Sequence, residues 1–206
     1  MISDLIKRYP ALEISADDIK ESAKAIIECY KKGGKVLLCG NGGSAADCEH
    51  ISAELMKGFL KQRALSESEK ASMKQNNPQI SEEFLCALQK GVPAIALSSL
   101  TGLNTAFSND ITAEYAYAQG VMSLGKRGDI LIAISTSGNS ANVFAAAQVA
   151  KALGLCVIAL TGVDGGKIAK LADIAIRVPE NETYKIQELH LPVYHCICAM
   201  VEAELF

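Results

Sequence analysis

The sequence predicts an α/β fold, a three-layer sandwich in which a five-stranded parallel sheet carries helices on both faces. Three observations carry this. Five short apolar runs recur along the 206-residue chain. Stretches with helical spacing separate them. The first run is short, apolar after its leading Lys35, and ends in glycine, as a strand buried on both faces does.

The elements follow in order. Ile19, Ala23, Ile26, Ile27 and Tyr30 recur at helical spacing, which predicts an amphipathic helix over 16–33, stopped by Gly33 and Gly34. The five apolar runs lie at 35–40, 93–98, 129–134, 156–161 and 173–178. Helical stretches fall at about 43–60, 111–124, 139–153 and 165–172, and a last helix runs from about 183 to the end. Alternation of this kind gives a parallel sheet covered on both sides. Five strands suggest the flavodoxin-like order 2-1-3-4-5, with ligands at the carboxyl ends of the strands near the switch point. That rule nominates the loops after Gly40 and Ile134. Residues 61–90 are polar and charged, and read as a surface excursion with a short helix around 81–90, either solvated elaboration or a lid or subunit contact. No repeat appears, and residues 1–206 read as one domain.

Composition excludes several classes. A net charge of -3 offers no basic field for nucleic acid. The seven cysteines form no C-x-x-C pair and several sit in apolar runs, which fits a reducing cytosol better than a disulfide framework. The first ten residues lack a signal-peptide apolar region, and no run approaches the ~18 apolar residues of a membrane helix. A cytoplasmic protein without membrane or nucleic-acid partners is expected.

The loop at 39–47 reads Cys-Gly-Asn-Gly-Gly-Ser-Ala-Ala-Asp. Its glycines let backbone approach a ligand, and the following helix aims its amino-terminal amides at the same place. The bland alternative is a tight turn capped by Ser44. The loop does not complete G-x-G-x-x-G, and no acidic residue after the second strand is placed for a ribose, so a dinucleotide is disfavoured. The loop after Ile134 reads Ser135-Thr136-Ser137-Gly138-Asn139-Ser140. Hydroxyls and exposed amides can hold phosphate without formal positive charge. One residue capping the next helix would not need so many hydroxyls.

Acid–base and metal candidates come from two helices. His50 and Glu54 are four apart and share a face. Gln187 and His195 are eight apart, about two turns, and point roughly the same way unless Pro192 kinks the helix. Two imidazoles, a carboxylate and an amide oxygen could bind a divalent metal, zinc by preference, although Gln is an unusual zinc ligand. The same groups could act as general acid and base without metal. Against this, a His–Glu pair at helical spacing is commonly a solvated surface pair. His195 lies in an apolar stretch that suits a core histidine, and His190 reads as structural.

With these motifs assembled, the chain resembles the SIS (sugar isomerase) family, and within it the phosphoheptose isomerase branch. The resemblance rests on 39–47, His50 through Glu54-Leu55, Ser108-Asn109-Asp110, residues 134–142 and 160–167, and Ile186 to His190 followed by His195. It implies that Asn41, Gly42 and Gly43 contact substrate with Ser44 close by. It implies further that Ser135, Thr136, Ser137 and Ser140 hold the phosphate and that Asn109 and Asp110 meet sugar hydroxyls. Glu54 and His195 would form the catalytic pair. Zinc-containing relatives place metal ligands at positions matching His50, Glu54, Gln187 and His195, and the family assembles as homotetramers with sites built from more than one subunit. The implied reaction interconverts sedoheptulose 7-phosphate and D-glycero-D-manno-heptose 7-phosphate. The alternatives are another phosphosugar isomerase or a non-catalytic SIS binding protein. One departure stands out: shorter members of the family lack the 61–90 excursion.

Overall fold

The computed structural model describes residues 1–206. Five parallel strands form one sheet: β1 (Val36–Cys39), β2 (Ala94–Ala96), β3 (Ile130–Ile134), β4 (Cys156–Thr161) and β5 (Ile174–Arg177). Their order is β2-β1-β3-β4-β5, as the run of elements predicts. Ten α-helices surround them: α1 (Ile2–Arg8), α2 (Ala16–Lys31), α3 (Gly43–Met56), α4 (Glu67–Asn76), α5 (Glu82–Ala87), α6 (Thr101–Phe107), α7 (Ala116–Leu124), α8 (Ala141–Leu153), α9 (Gly166–Leu171) and α10 (Thr183–Leu205).

The sheet separates two cores because successive side chains of a strand face opposite ways. Leu38, Ile132, Ile158 and Ile176 point to one side, where Ile19, Ala23 and Ile26 of α2, Ile51 and Leu55 of α3, and Val193 and Ile197 of α10 cover them. Leu37, Leu131, Ala133 and Ala159 point to the other, against Val143, Ala146, Ala147 and Ala150 of α8. Alanines on both partners let α8 lie close to the sheet. The central strands β1 and β3 are buried at every residue, while the edge strand β5 exposes Arg177. Pairing of Leu38 with Ile132 and of Leu38 with Ala96 sets the register around β1.

The excursion differs from expectation. It contains two helices, α4 and α5, and its base is closed by the Ala64–Gln89 bridge and by Lys90 N donating to Arg63 O at 2.8 Å. α4 has no buried residue, so it carries no amphipathic stripe. It is started by a capping box in which Ser66 and Glu69 satisfy each other's backbone amides. Pro192 does not break α10, which runs unbroken past it. All seven cysteines are unpaired, and Cys86, in the excursion, is exposed. No helix is long and apolar enough to cross a membrane.

Candidate functional site

The loops after β1 and β3 meet at the switch point, and each opens a helix without a side-chain cap. α3 starts from Gly42, at φ 54°, and α8 from Ser140. Neither Ser44 nor Ser140 caps its helix: Ser44 is buried, and Ser140 Oγ lies 3.0 Å from Ser135 Oγ. Ser44 N and Ala45 N turn back onto the carbonyls of Asn41 and Gly42, and Val143 N donates to Asn142 Oδ1, which leaves Gly43 N in α3 and the Ala141 and Asn142 amides in α8 open to an anion, with the dipole of each helix in support. Asn41 and Asn142 join the two loops through a reciprocal amide pair, at 2.8 and 2.9 Å. Tyr117 OH donates to Gly40 O at 2.7 Å and fixes the end of β1.

The serine loop is buttressed from below by backbone. Gly162 N donates to Thr136 O at 2.9 Å and Ile168 N to Gly138 O at 3.0 Å. Gly138 adopts φ 64°, and a Cβ there would collide with the Gly165 carbonyl. Only glycine fits where the two loops cross. Asn109 and Asp110 sit in a π-helical turn at Ser108–Thr112, exposed, with Asn109 Nδ2 donating to Asp110 Oδ1 at 2.9 Å.

α3 and α10 run side by side in the same direction. At their starts, the Gln187 amide presses on Gly43, where an added Cβ would stand 2.5 Å from Nε2. Further along, His50 and His195 stand edge to face with ring centroids 5.0 Å apart. His50 Nε2 lies 3.5 Å from Glu54 Oε1, and Lys57 Nζ lies 3.5 Å from the other Glu54 oxygen. The Glu54 side chain is only 12 % exposed, so the pair is not the solvated one that spacing alone suggested; His50 is 42 % exposed. Burial lowers the His195 pKa, the charges of His50 and Arg8 lower it further, and Glu54 opposes them. His195 also lines a cavity of about 280 Å³ shared with Arg8, Phe59 and Leu60.

His50, Glu54 and His195 are thus together, but Gln187 is not with them. Eight residues of helix are about 12 Å at ~1.5 Å per residue. Two donors on a tetrahedral zinc, each at ~2.0 Å, stand about 3.3 Å apart, close to the 3.5 Å between His50 Nε2 and Glu54 Oε1. His195 Nε2 is buried without a hydrogen-bond partner. No group of three or more His, Cys, Asp or Glu side chains closes into a cage as they stand. The donor chemistry fits a divalent cation, with His50 and Glu54 as the pair that would hold it and His195 beside them.

Sequence reasoning missed Asn142, Tyr194 and Asp47. Tyr194 OH donates to Asp47 Oδ1 at 3.2 Å and lies 3.1 Å from His50 Nδ1. Asp47 and His50 are three apart on α3, so Asp-x-x-His-x-x-x-Glu was the available signal.

His190 is fully buried with neither ring nitrogen hydrogen-bonded. Burial pushes its pKa down to about 4, weakly opposed by the Thr161 backbone. The unfolded chain, with histidine near 6.5, then binds a proton that the folded one refuses. Stability is full above pH 6.5 and falls as pH drops toward 4, by about 3 kcal/mol for this group alone. Urea melts of wild type and His190→Leu at pH 7.5 and 4.5 should show the variant losing less stability between the two. Equal losses would contradict the assignment.

The SIS domain family matches residues 87–201, and a second SIS domain family matches residues 2–86. The phosphoheptose isomerase of Helicobacter hepaticus is 41% identical over 186 residues, covering 90% of this chain and 82% of the relative. That of Shewanella sp. strain ANA-3 is 40% identical over 202 residues, covering 97% and 89%. Among solved structures, the phosphoheptose isomerase of Neisseria gonorrhoeae superposes with a TM-score of 0.77 at 34% identity, covering 98% of this chain and 94% of its own. That of Francisella tularensis gives 0.78 at 32%, covering 95% and 91%.

Proposed function

The chain belongs to the SIS domain family, among its phosphoheptose isomerases, and is an aldose–ketose sugar-phosphate isomerase; we propose that Glu54 and His195 interconvert sedoheptulose 7-phosphate and D-glycero-D-manno-heptose 7-phosphate through an enediolate. The observation that carries this reading is the meeting of Glu54, His50 and His195 on two parallel helices, of which α3 opens from the glycine loop that adjoins the serine loop.

Isomerisation moves one proton between C1 and C2 and one between their oxygens. The Glu54 carboxylate takes the proton from the carbon beside the carbonyl and returns it to the neighbouring carbon. His195, whose pKa burial lowers, carries the proton between the two oxygens. Groups in such roles contribute ~10²–10⁴-fold each. Ser135, Thr136, Ser137 and Ser140, with the open amides of α3 and α8, hold the phosphate and orient the reacting carbons. Asn41, Gly42, Gly43 and Gln187 line the approach, and Asn109 and Asp110 address hydroxyls. A divalent cation at His50 and Glu54 would supply Lewis-acid polarisation of the carbonyl and stabilise negative charge on its oxygen.

Distance argues for a site completed between copies, and the homotetramer that the family resemblance implies would supply the second copy. Glu54 lies about 16 Å along α3 from Gly43 at ~1.5 Å per residue. An extended seven-carbon phosphate ester spans only roughly 9–10 Å, taking ~3.5 Å per three bonds. A phosphate in one serine loop is then paired with a Glu54 from a neighbouring chain. We place the protein in the cytoplasm, which its seven unpaired cysteines support.

The test is to incubate the purified protein with sedoheptulose 7-phosphate and a panel of shorter ketose phosphates, with and without zinc, while measuring mass by light scattering. Aldose product from the heptulose by a tetramer is expected. Turnover confined to a shorter sugar would move the assignment to another phosphosugar, and none on any substrate would favour a binding protein.

A further inference from the structure

Resting on that reading of His50 and Glu54, we propose that Tyr194, backed by Asp47, is a positioning residue that holds His50 in its Nδ1–H tautomer and leaves the Nε2 lone pair facing Glu54.

The Tyr194 hydroxyl has a single proton and two neighbours, Asp47 Oδ1 at 3.2 Å and His50 Nδ1 at 3.1 Å. A carboxylate is the stronger acceptor, because a charge-assisted bond is worth about twice a neutral one. Asp47 Oδ2 is buried with no partner, so this carboxylate depends on the hydroxyl. With its proton committed to Asp47, the phenol oxygen can only accept from His50, and Nδ1 must carry the hydrogen. A neutral imidazole has one N–H, so Nε2 is left as a bare lone pair.

That lone pair stands 3.5 Å from Glu54 Oε1. Two acceptors at this distance repel unless something electrophilic lies between them. The chain Asp47–Tyr194–His50–Glu54 therefore prepares the gap for a shared proton or for a divalent cation. Its rigidity comes from Tyr194, which is 2 % exposed and wedged edge to face against His50 at 5.5 Å and His195 at 5.0 Å. His50 is the more exposed partner, and its ring is turned by what Tyr194 offers it. Outer partners of this kind fix the tautomer and orientation of metal-binding histidines generally.

The experiment labels histidine with ¹⁵N in the zinc-free protein and reads the ring nitrogens at pH 8.5, with His50 assigned by its loss in His50→Asn. Wild type is expected to show a protonated Nδ1 and a bare Nε2. Tyr194→Phe removes the acceptor and should leave a mixture of tautomers, with zinc affinity by calorimetry reduced about 10–100-fold. Asp47→Leu frees the hydroxyl to donate to Nδ1 and should invert His50 to Nε2–H, whereas Asp47→Asn keeps an acceptor oxygen and the wild-type tautomer. If Tyr194→Phe fails to fold, the Asp47 pair decides. Nε2–H in wild type, or a tautomer unchanged in Asp47→Leu, would overturn the proposal. The readout needs no turnover, so a protein inactive on every sugar phosphate would sink the isomerase reading and leave this one standing or falling by itself.

Discussion

Glu54→Gln is expected to lower kcat for heptose phosphate isomerisation by about 10²–10⁴-fold, with KM changed little and the protein still folded. The substitution keeps the shape and one acceptor oxygen but removes the group that can take a proton from carbon. The Glu54 side chain is mostly buried beside His50 and Lys57, so an isosteric amide should be tolerated there. KM is spared because the phosphate is gripped elsewhere, by the serine loop and the amides of α3 and α8, and a group acting only in the transition state alters kcat rather than ground-state binding. His195→Ala should be similarly inactive. The double variant should be scarcely worse than either single one, as for residues that act as a unit. Steady-state kinetics and the exchange of substrate hydrogen with D₂O measure this directly. Loss of turnover with exchange retained would mean that another group takes the proton, and near-normal turnover would remove Glu54 from the mechanism.

The sheet was readable because buried parallel strands are unbroken apolar runs, and five of these recur. What remained hidden shows where such reading stops. β2 is shorter than the run at 93–98 because Leu97–Ser99 turn into a 3₁₀ helix toward α6. α4 buries nothing, so it has no periodic signal, though Ser66 and Glu69 spell a capping box. At the site, spacing placed His50 and Glu54 on one face of a helix, which is what periodicity reports. It could not report that α10 lies parallel to α3, and so could not find Tyr194 against Asp47 and His50. Spacing put Gln187 and His195 two turns apart on one helix but could not report what each one meets: Gln187 lies against Gly43 and His195 beside His50.

The excursion is tied to the site helix by one buried ion pair, and breaking that pair is expected to cost the fold most. Arg63 and Glu202 are 2 % and 1 % exposed. Arg63 Nε donates to Glu202 Oε1 at 2.8 Å, while its Nη1 and Nη2 donate to the carbonyls of Leu55 and Glu54 at 2.6 and 2.9 Å. It therefore caps the end of α3 that carries Glu54, with the Phe206 ring 4.8 Å from the guanidinium. Glu202 also accepts from the amides of Phe59, Leu60 and Lys61. Burial pushes the Glu202 pKa up, but those amides and Arg63 outweigh it and hold the carboxyl below its usual range. Its contribution is therefore present above about pH 4.5 and is lost as pH falls through the lower folded value. Glu202→Leu leaves a buried guanidinium without a counter-charge and three amides without an acceptor, and should cost about 3–5 kcal/mol. Arg63→Met should cost less, because Glu202 keeps three backbone donors, but it also removes the cap on α3 and should lower kcat. The double variant Arg63→Met/Glu202→Leu should be more stable than Glu202→Leu alone, since no uncompensated charge remains. Denaturant melts of the three variants test the ordering. A double variant as unstable as the sum of the singles would show that the two side chains act independently, each through its own backbone contacts.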